Sequence, residues 1–213
     1  MFKTMLLGMI IVACASIAAA QSDDYKKFEF FGGFSHNRID TGIGDDDPAL
    51  RDIIDEREGF NGFNTSITGN FSRYLGLKFD VSGHFKSRTF PLGPIPNVVD
   101  VDSRLYNFLG GVQVKDNSSE TTFKPFAHAL VGAAHARNRV SFDNLGCIAI
   151  VPNPCPGDFT ETETGFGGAF GGGIDIRVNN RVDIRAIQFD YNPTRLFDST
   201  QHNFRIGVGI VFH

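Results

Sequence analysis

The sequence predicts an all-β chain, an eight-stranded antiparallel up-and-down transmembrane β-barrel, and three observations carry that prediction. Apolar and polar residues alternate with period 2 through eight segments, near 27 to 39, 60 to 72, 77 to 89, 103 to 116, 123 to 140, 164 to 178, 182 to 195 and 202 to 213. The connections between them alternate in length, long and polar at 40 to 59, 90 to 102 and 141 to 163, short at 73 to 76, 117 to 122 and 179 to 181. Such alternation belongs to a barrel with long outer loops and short inner turns. Finally, mean hydropathy is near neutral at −0.10, and beyond the N-terminus no apolar run approaches the length of about 18 residues that a membrane-spanning helix needs.

The first element is a leader. Lys3, the apolar run Met5 to Ile17 and the small residues Ala18, Ala19 and Ala20 have the layout of a secretory signal, with cleavage expected between Ala20 and Gln21. An N-terminal anchor would need a longer apolar run with polar flanks further out. A lipoprotein signal built on Ile11, Val12, Ala13 and Cys14 would leave Ala15 to Ala20 as an odd apolar start to the mature chain. The expected organisation is therefore residues 1–20 as signal and 21–213 as a single barrel domain. Of the formal charge of −4, residues 1–20 contribute only the +1 of Lys3, so the mature chain carries −5, and nothing in it suggests a nucleic-acid partner. The 22 Phe and 24 Gly, with no Trp, lean to β-structure. Only Ala49 to Glu58 has a weak helical pattern, read as a short helical turn in a loop.

The third segment displays the alternation most clearly. Leu77, Phe79, Val81, Gly83 and Phe85 face one way, and Lys78, Asp80, Ser82, His84 and Lys86 the other. Alternation alone does not say which face is inside, since a soluble lipocalin-like barrel would hide the apolar one. At roughly 3.3 Å per residue, segments of this length suit tilted strands that cross a bilayer and project beyond it. On that reading the charged face lines a lumen, where opposite charges need one another. Around a turn Asn179-Asn180-Arg181, parity places Val178 against Val182 and Ile176 against Ile184, with Asp175 meeting Arg185 and Arg177 meeting Asp183 as lumen pairs. A three-residue turn Arg73-Tyr74-Leu75 would set Phe71 against Leu77 and Ile67 against Val81, with Asn70 beside Lys78 and Thr68 beside Asp80. In the seventh segment Val182 and Ile184 share a parity that Ile187, Phe189 and Tyr191 lack, so a β-bulge is expected near Ala186.

The last segment carries the most specific motif. Arg205, Gly207, Ile210 and Phe212 supply a polar residue, a glycine two on, and hydrophobic positions three and five beyond it, the last aromatic. This resembles the signal by which the barrel-assembly machinery recognises outer-membrane proteins, although His213 follows the aromatic where many such proteins end on it. With the leader, the eight segments and the loop asymmetry, the mature chain resembles the family that includes the OmpA transmembrane domain and OmpX-like proteins. The stretch Gly165 to Arg185, Gly-rich and then Ile174-Asp175-Ile176-Arg177-Val178, looks like that family's penultimate hairpin. The resemblance implies a Gram-negative-type outer-membrane location, contact with outer-membrane lipid and assembly by that machinery. OmpA's further peptidoglycan-binding domain has no counterpart expected here. Phe71, Tyr74, Phe79 and Tyr106 are candidates for the membrane interfaces.

Candidate chemistry is sparse. Cys147 and Cys155, in one long predicted outer loop among Pro152, Pro154 and Pro156, read as a disulfide in an exported protein. The histidines His36, His84, His128, His135, His202 and His213 lack metal-ligand spacing, and Asp45, Asp46 and Asp47 lack the remaining ligands of a calcium loop. Gly165, Gly167, Gly168, Gly171, Gly172 and Gly173 lack the strand–turn–helix setting of a dinucleotide site and are read as room for bulky lumen neighbours or for strand curvature. No cofactor, metal or catalytic group is expected. The leading expectation is a membrane anchor whose loops meet an extracellular partner or serve envelope integrity, without a large pore, because eight strands leave an interior that side chains fill. Two rivals stand beside it: a soluble, exported lipocalin-like binder of an apolar ligand, and a lipid A-modifying enzyme.

Overall fold

The structure is a computed structural model that describes residues 25–40, 57–91, 98–118, 121–143 and 158–213. The expected leader with Ala20 and Gln21, the acidic run Asp45 to Asp47, and Cys147 and Cys155 lie outside the described residues. So do residues 49 to 56 of the weakly helical stretch, whose last two residues, Arg57 and Glu58, instead open a strand.

Eight strands close one barrel: β1 (Phe28–Asp40), β2 (Arg57–Asn70), β3 (Leu75–Pro91), β4 (Val98–Lys115), β5 (Phe123–Asp143), β6 (Phe159–Arg177), β7 (Val182–Leu196) and β8 (Ser199–Phe212). Each pairs antiparallel with its neighbour in sequence, and β1 pairs with β8 along a seam from Phe30↔Phe212 to Arg38↔Phe204. Closure matters because an open sheet edge would leave unpaired N–H and C=O groups with no water to satisfy them in lipid.

Burial decides which face is which. Leu77 and Phe79 are 61 % and 53 % exposed, whereas Lys78 and Asp80 between and beside them are 2 % and 0 %. The same inversion holds around the barrel, with Phe34, Phe63, Phe108, Val131, Phe170, Phe189 and Val208 outside and Glu29, Asn107, Lys124, Asp190 and Arg205 inside. This is the reverse of a lipocalin-like barrel, whose apolar face points inward.

Several strands run further at their outer ends than alternation of apolar residues predicts. There, polar cross-strand bonds replace apolar packing: Ser87 Oγ donates to Asp102 Oδ1 and Thr89 Oγ1 to Asp100 Oδ1, both at 2.5 Å. The hairpin joining β2 and β3 also differs from expectation. Its turn sits one residue earlier, Phe71 N bonding Leu75 O at 3.1 Å, so Thr68 faces Lys78 and Ile67 faces Phe79, a register slid by two with every side chain keeping its face. Ser72 is the cause, its Oγ accepting from Tyr74 N and Leu75 N at 3.3 and 3.0 Å. The outer connection from β7 to β8 is only Phe197 and Asp198, with φ of 53° and 57°, the two-residue form whose twist suits adjoining strands. The β6–β7 hairpin has the expected register, and the irregularity in β7 falls between Arg185 and Gln188, around Ala186.

At the inner end, the chain before β1 ties the short turns together. Tyr25 bridges to Ser118, Lys26 N donates to Asn117 O, and Asn70 Nδ2 donates to Lys26 O at 2.8 Å. Arg73 Nε donates to Asp116 Oδ1 at 3.0 Å, and that bond holds the Asp116 carboxyl down at about 2.

Two outcomes follow from these placements. Val81→Arg, in the middle of the apolar band on β3, should cost about 2–4 kcal/mol in lipid vesicles, whereas Thr160→Arg, on the exposed outer end of β6, should cost little; urea titrations of the folded barrel compare them. Because its pKa is depressed, Asp116 contributes stability above its ordinary value of 3.8 that is lost only as pH falls through about 2. An NMR titration should show Arg73→Ala moving the Asp116 midpoint up toward 3.8.

Candidate functional site

The interior is built from one charge network to which all eight strands contribute. Starting on β1, Glu29 accepts from Lys115 Nζ of β4 at 3.0 Å, and the same Nζ donates to Asp175 of β6 at 2.8 Å. Asp175 in turn takes Arg185 of β7 in two bonds, Nε to Oδ1 at 2.8 Å and Nη2 to Oδ2 at 3.1 Å. Arg185 Nη1 donates to Gln188, and Gln188 Nε2 donates to Asp190 at 2.7 Å. Asp190 accepts from Arg205 of β8 at 2.6 Å, and Arg205 Nη1 reaches Asp80 of β3 at 3.0 Å. Asn64 of β2 donates to Asp80 at 2.9 Å, and the His128 ring of β5 stands 3.0 Å from Asp190 with Lys78 Nζ on its other nitrogen. Four carboxylates (Glu29, Asp80, Asp175 and Asp190) thus share one region with four cations (Lys78, Lys115, Arg185 and Arg205). Burial of this many charges is tolerated only with such mutual compensation.

Packing supports the network. The Arg185 guanidinium lies between the rings of Phe31 and Phe126, 4.1 Å from each centroid. Phe126 and Asp190 occupy space that Gly173 and Gly171 leave free: a Cβ on Gly173 would meet the Phe126 ring at 2.9 Å, and one on Gly171 would meet Asp190 Oδ1 at 2.5 Å. Beside the network, on β4, β5 and β6, Leu109, Leu130 and Ala169 form a small apolar cluster in the same cross-strand rows as Asp80 and Lys78, and elsewhere in the interior Ser35 bonds His84, Asn37 bonds Asn192, and Asn203 bonds Thr194.

Over this filled interior the outer mouth opens into a vestibule of about 310 Å³. Ile39, Phe60, Leu105, Ala136 and Leu196 make its floor, with Phe197 of the tight turn packed against them. Its rim is polar, with Asp40, Lys86, Asn138 and Gln201 and an ion pair between Arg88 and Glu58. Phe197 is held there by its N–H, which donates to Glu163 Oε2 at 2.5 Å.

The residues singled out in the sequence are distributed as follows. Asp175 and Arg185 come together as cross-strand neighbours with a two-bond contact. Arg177 and Asp183 are also cross-strand neighbours, but their side chains part: Arg177 donates to Asn180 in the turn, while Asp183 accepts from Lys124 Nζ at 2.9 Å and lies 2.9 Å from the His213 ring. The stronger claim on Asp183 comes from two buried groups, so the expected second pair is replaced by a Lys124–Asp183–His213 cluster at the inner end. Of the last-strand motif, Arg205 and Gly207 face the interior, and Ile210 and Phe212 face outward. The partners that parity within a hairpin does not reach, Glu29 with Lys115 and Asp80 with Arg205, come from strands that are not neighbours. Among the described residues no group of three His, Cys, Asp or Glu side chains is placed to hold a metal ion, and no helix is long and apolar enough to cross a membrane.

With that geometry in place, the chain was compared with known proteins. Residues 6–212 match the family described as outer membrane protein beta-barrel domain. The chain belongs to that family. No curated protein matches it. Among solved structures it is similar to Ail, the attachment invasion locus protein of Yersinia pestis, determined in complex with the heparin analogue sucrose octasulfate, at 15 % identity and TM-score 0.55 over 87 % of this chain and 97 % of that one. A second structure of Ail gives 17 % identity and TM-score 0.51 over the same shares. Neisserial surface protein A gives 11 % identity and TM-score 0.48 over 89 % and 99 %. At such identities the likeness to Ail is one of fold. The family membership agrees with the inverted burial and the closed eight-stranded sheet.

The network makes a prediction. Asp175→Ala leaves Arg185 buried without its carboxylate and should cost about 3–5 kcal/mol, whereas the double change Asp175→Ala with Arg185→Leu should recover much of that loss. Urea unfolding of the two variants in the same lipid vesicles, completed as a double-mutant cycle, measures the coupling.

Proposed function

We propose that this chain is an integral outer-membrane protein whose barrel is a sealed anchor and whose outer end is the working surface. The observation that carries the reading is the occupied interior: among the described residues a polar network to which all eight strands contribute fills the middle of the barrel with buried side chains, while a vestibule lies at the outer end. The apolar floor and polar rim suit the insertion of one apolar side chain or ring from an extracellular partner. In this reading residues 1–20 are an export signal cut between Ala20 and Gln21, Cys147 and Cys155 are joined in the third long connection, and Arg205, Gly207, Ile210 and Phe212 present the last strand to the barrel-assembly machinery. The role is non-enzymatic, and the long loops or an envelope-integrity function account for the protein.

The full-length chain expressed in a diderm host should fractionate with the outer membrane and run at different gel mobilities before and after boiling. Its intact mass should lack residues 1–20 and two further hydrogens. In planar bilayers it should give no stable conductance on the scale of large porins. Recovery in the soluble periplasmic fraction without a mobility shift, or large stable conductance steps, would overturn the reading.

A further inference from the structure

One row of donors in the vestibule has nothing to bind within the chain. Lys86 of β3, Ser103 of β4 and Asn138 of β5 are consecutive cross-strand partners, all half-buried, and all line the vestibule. Among the described residues none of these three side chains makes a hydrogen bond or an ion pair. The charged groups around them are engaged: Arg88 ion-pairs with Glu58, and Asp40 Oδ2 accepts from His202 N. An ammonium, a hydroxyl and a carboxamide in sequence, on strands about 4.8 Å apart, offer donors from one wall to a single acceptor group lying over Ser103.

What lies beneath them specifies the rest of a ligand. The next row inward on the same strands is Leu105 and Ala136, about 7 Å below, the rise of two residues. With Ile39, Phe60, Leu196 and Phe197 these make a floor whose side chains offer no hydrogen-bonding group. The vestibule holds about 310 Å³, and at about 30 Å³ for each water-sized group that admits roughly ten non-hydrogen atoms. Of the charged residues that line it, Lys86, Arg88 and Arg104 stand against Asp40 and Glu58, so a single negative charge balances the set. A bare inorganic anion has no use for the floor, and a neutral apolar body leaves the three donors idle.

We propose that the vestibule binds a small monocarboxylate with an apolar body of about eight carbons. The carboxylate accepts from Lys86 Nζ, Ser103 Oγ and Asn138 Nδ2, and the chain lies on Leu105, Ala136 and Phe60. Bonds from an ammonium to a carboxylate are the strong ones, and a half-buried site strengthens them over their value in water. The proposal rests on the reading of the outer end as the working surface and gives the apolar group that enters the vestibule an acid head. The two fail separately: loss of outer-membrane fractionation or of the heat-dependent mobility shift speaks against the barrel, whereas binding is measured on protein that has already shown that shift.

The full chain in phosphatidylcholine nanodiscs, with its leucine and alanine methyls labelled for NMR, provides the test. Octanoate, added below its micellar range, should move the signals of Leu105, Ala136 and Leu196 to a saturating endpoint, while Ala127 and Ala129, exposed on the outward face of β5, show none. Lys86→Gln should weaken binding about tenfold, the scale of one hydrogen bond to a charged group, and Ser103→Ala and Asn138→Ala about fivefold each. Arg195→Gln removes an equal charge from an exposed position on β7 and should leave the affinity unchanged. Octan-1-ol keeps the chain without the acid, and acetate the acid without the chain; each should bind about tenfold more weakly than octanoate, or worse. Octan-1-ol binding as tightly as octanoate would reduce the vestibule to an apolar hollow and overturn the proposal. So would an affinity indifferent to Lys86→Gln, equal loss from Lys86→Gln and Arg195→Gln, or shifts that grow without saturation at Ala136 and Ala127 alike. A peptide with a C-terminal phenylalanine carboxylate that saturates the site where octanoate does not would transfer it to a protein chain end and overturn the free ligand.

Discussion

The structure depends on the neutralisation of charge inside a space too narrow for water to do it. Eight strands enclose a lumen that side chains must fill, and this chain fills it with ionised groups. Every strand contributes to one set of hydrogen bonds and ion contacts, from Glu29 on β1 through Asp175, Arg185 and Asp190 to Arg205 on β8 and Asp80 on β3, with His128 of β5 beside Asp190. Backbone ladders connect each strand only to its neighbours, whereas this network reaches across the barrel and fixes the relative placement of strands that never touch. The glycines of β6 and the two rings around Arg185 are consequences of it, since the guanidinium needs both room and a polarisable lining.

The exterior answers to a different solvent. Outward positions from Phe28 on β1 to Phe212 on β8 are apolar through the middle of each strand and become polar or basic toward the outer end, as His36, Arg38, Asn61, Arg104 and Arg137 do. The vestibule belongs to neither environment. It lies where the strands have left the band, and its apolar floor faces the open mouth rather than lipid. A functional role is therefore easier to attach to the outer end than to the sealed middle.

Much of this was legible in the residues, because a β-strand writes its two environments into alternate positions. The eight segments, the facing of Leu77 to Phe85 against Lys78 to Lys86, the Asp175–Arg185 contact and the irregularity near Ala186 all follow from parity alone. What parity does not carry is distance along the strand and reach across the lumen. A register slid by two keeps every facing intact, so only the Ser72 hydroxyl in the β2–β3 turn distinguishes the observed pairing from the expected one. Similarly, nothing in the neighbourhood of Asp183 announces Lys124 and His213, which arrive from β5 and the residue beyond β8 and displace Arg177. The Phe197–Asp198 turn was hidden for another reason, as it lacks the glycine or asparagine that usually marks two left-handed residues in sequence.

The seam between β1 and β8 has a kinetic consequence. Phe30 meets Phe212 and Arg38 meets Phe204, so the first and last strands of the barrel complete each other. The Arg205 contacts to Asp190 and Asp80 and the β1 ladder to β8 all need the strand that closes the barrel. Without it the sheet keeps two open edges, and Asp190 and Asp80 lack their shared arginine, a state that lipid penalises and water tolerates. Closing the seam is therefore a step of high contact order, since it joins the first strand of the barrel to the last. A helper that shields one free edge until the other reaches it would act on the rate of that step and leave the final equilibrium as it was.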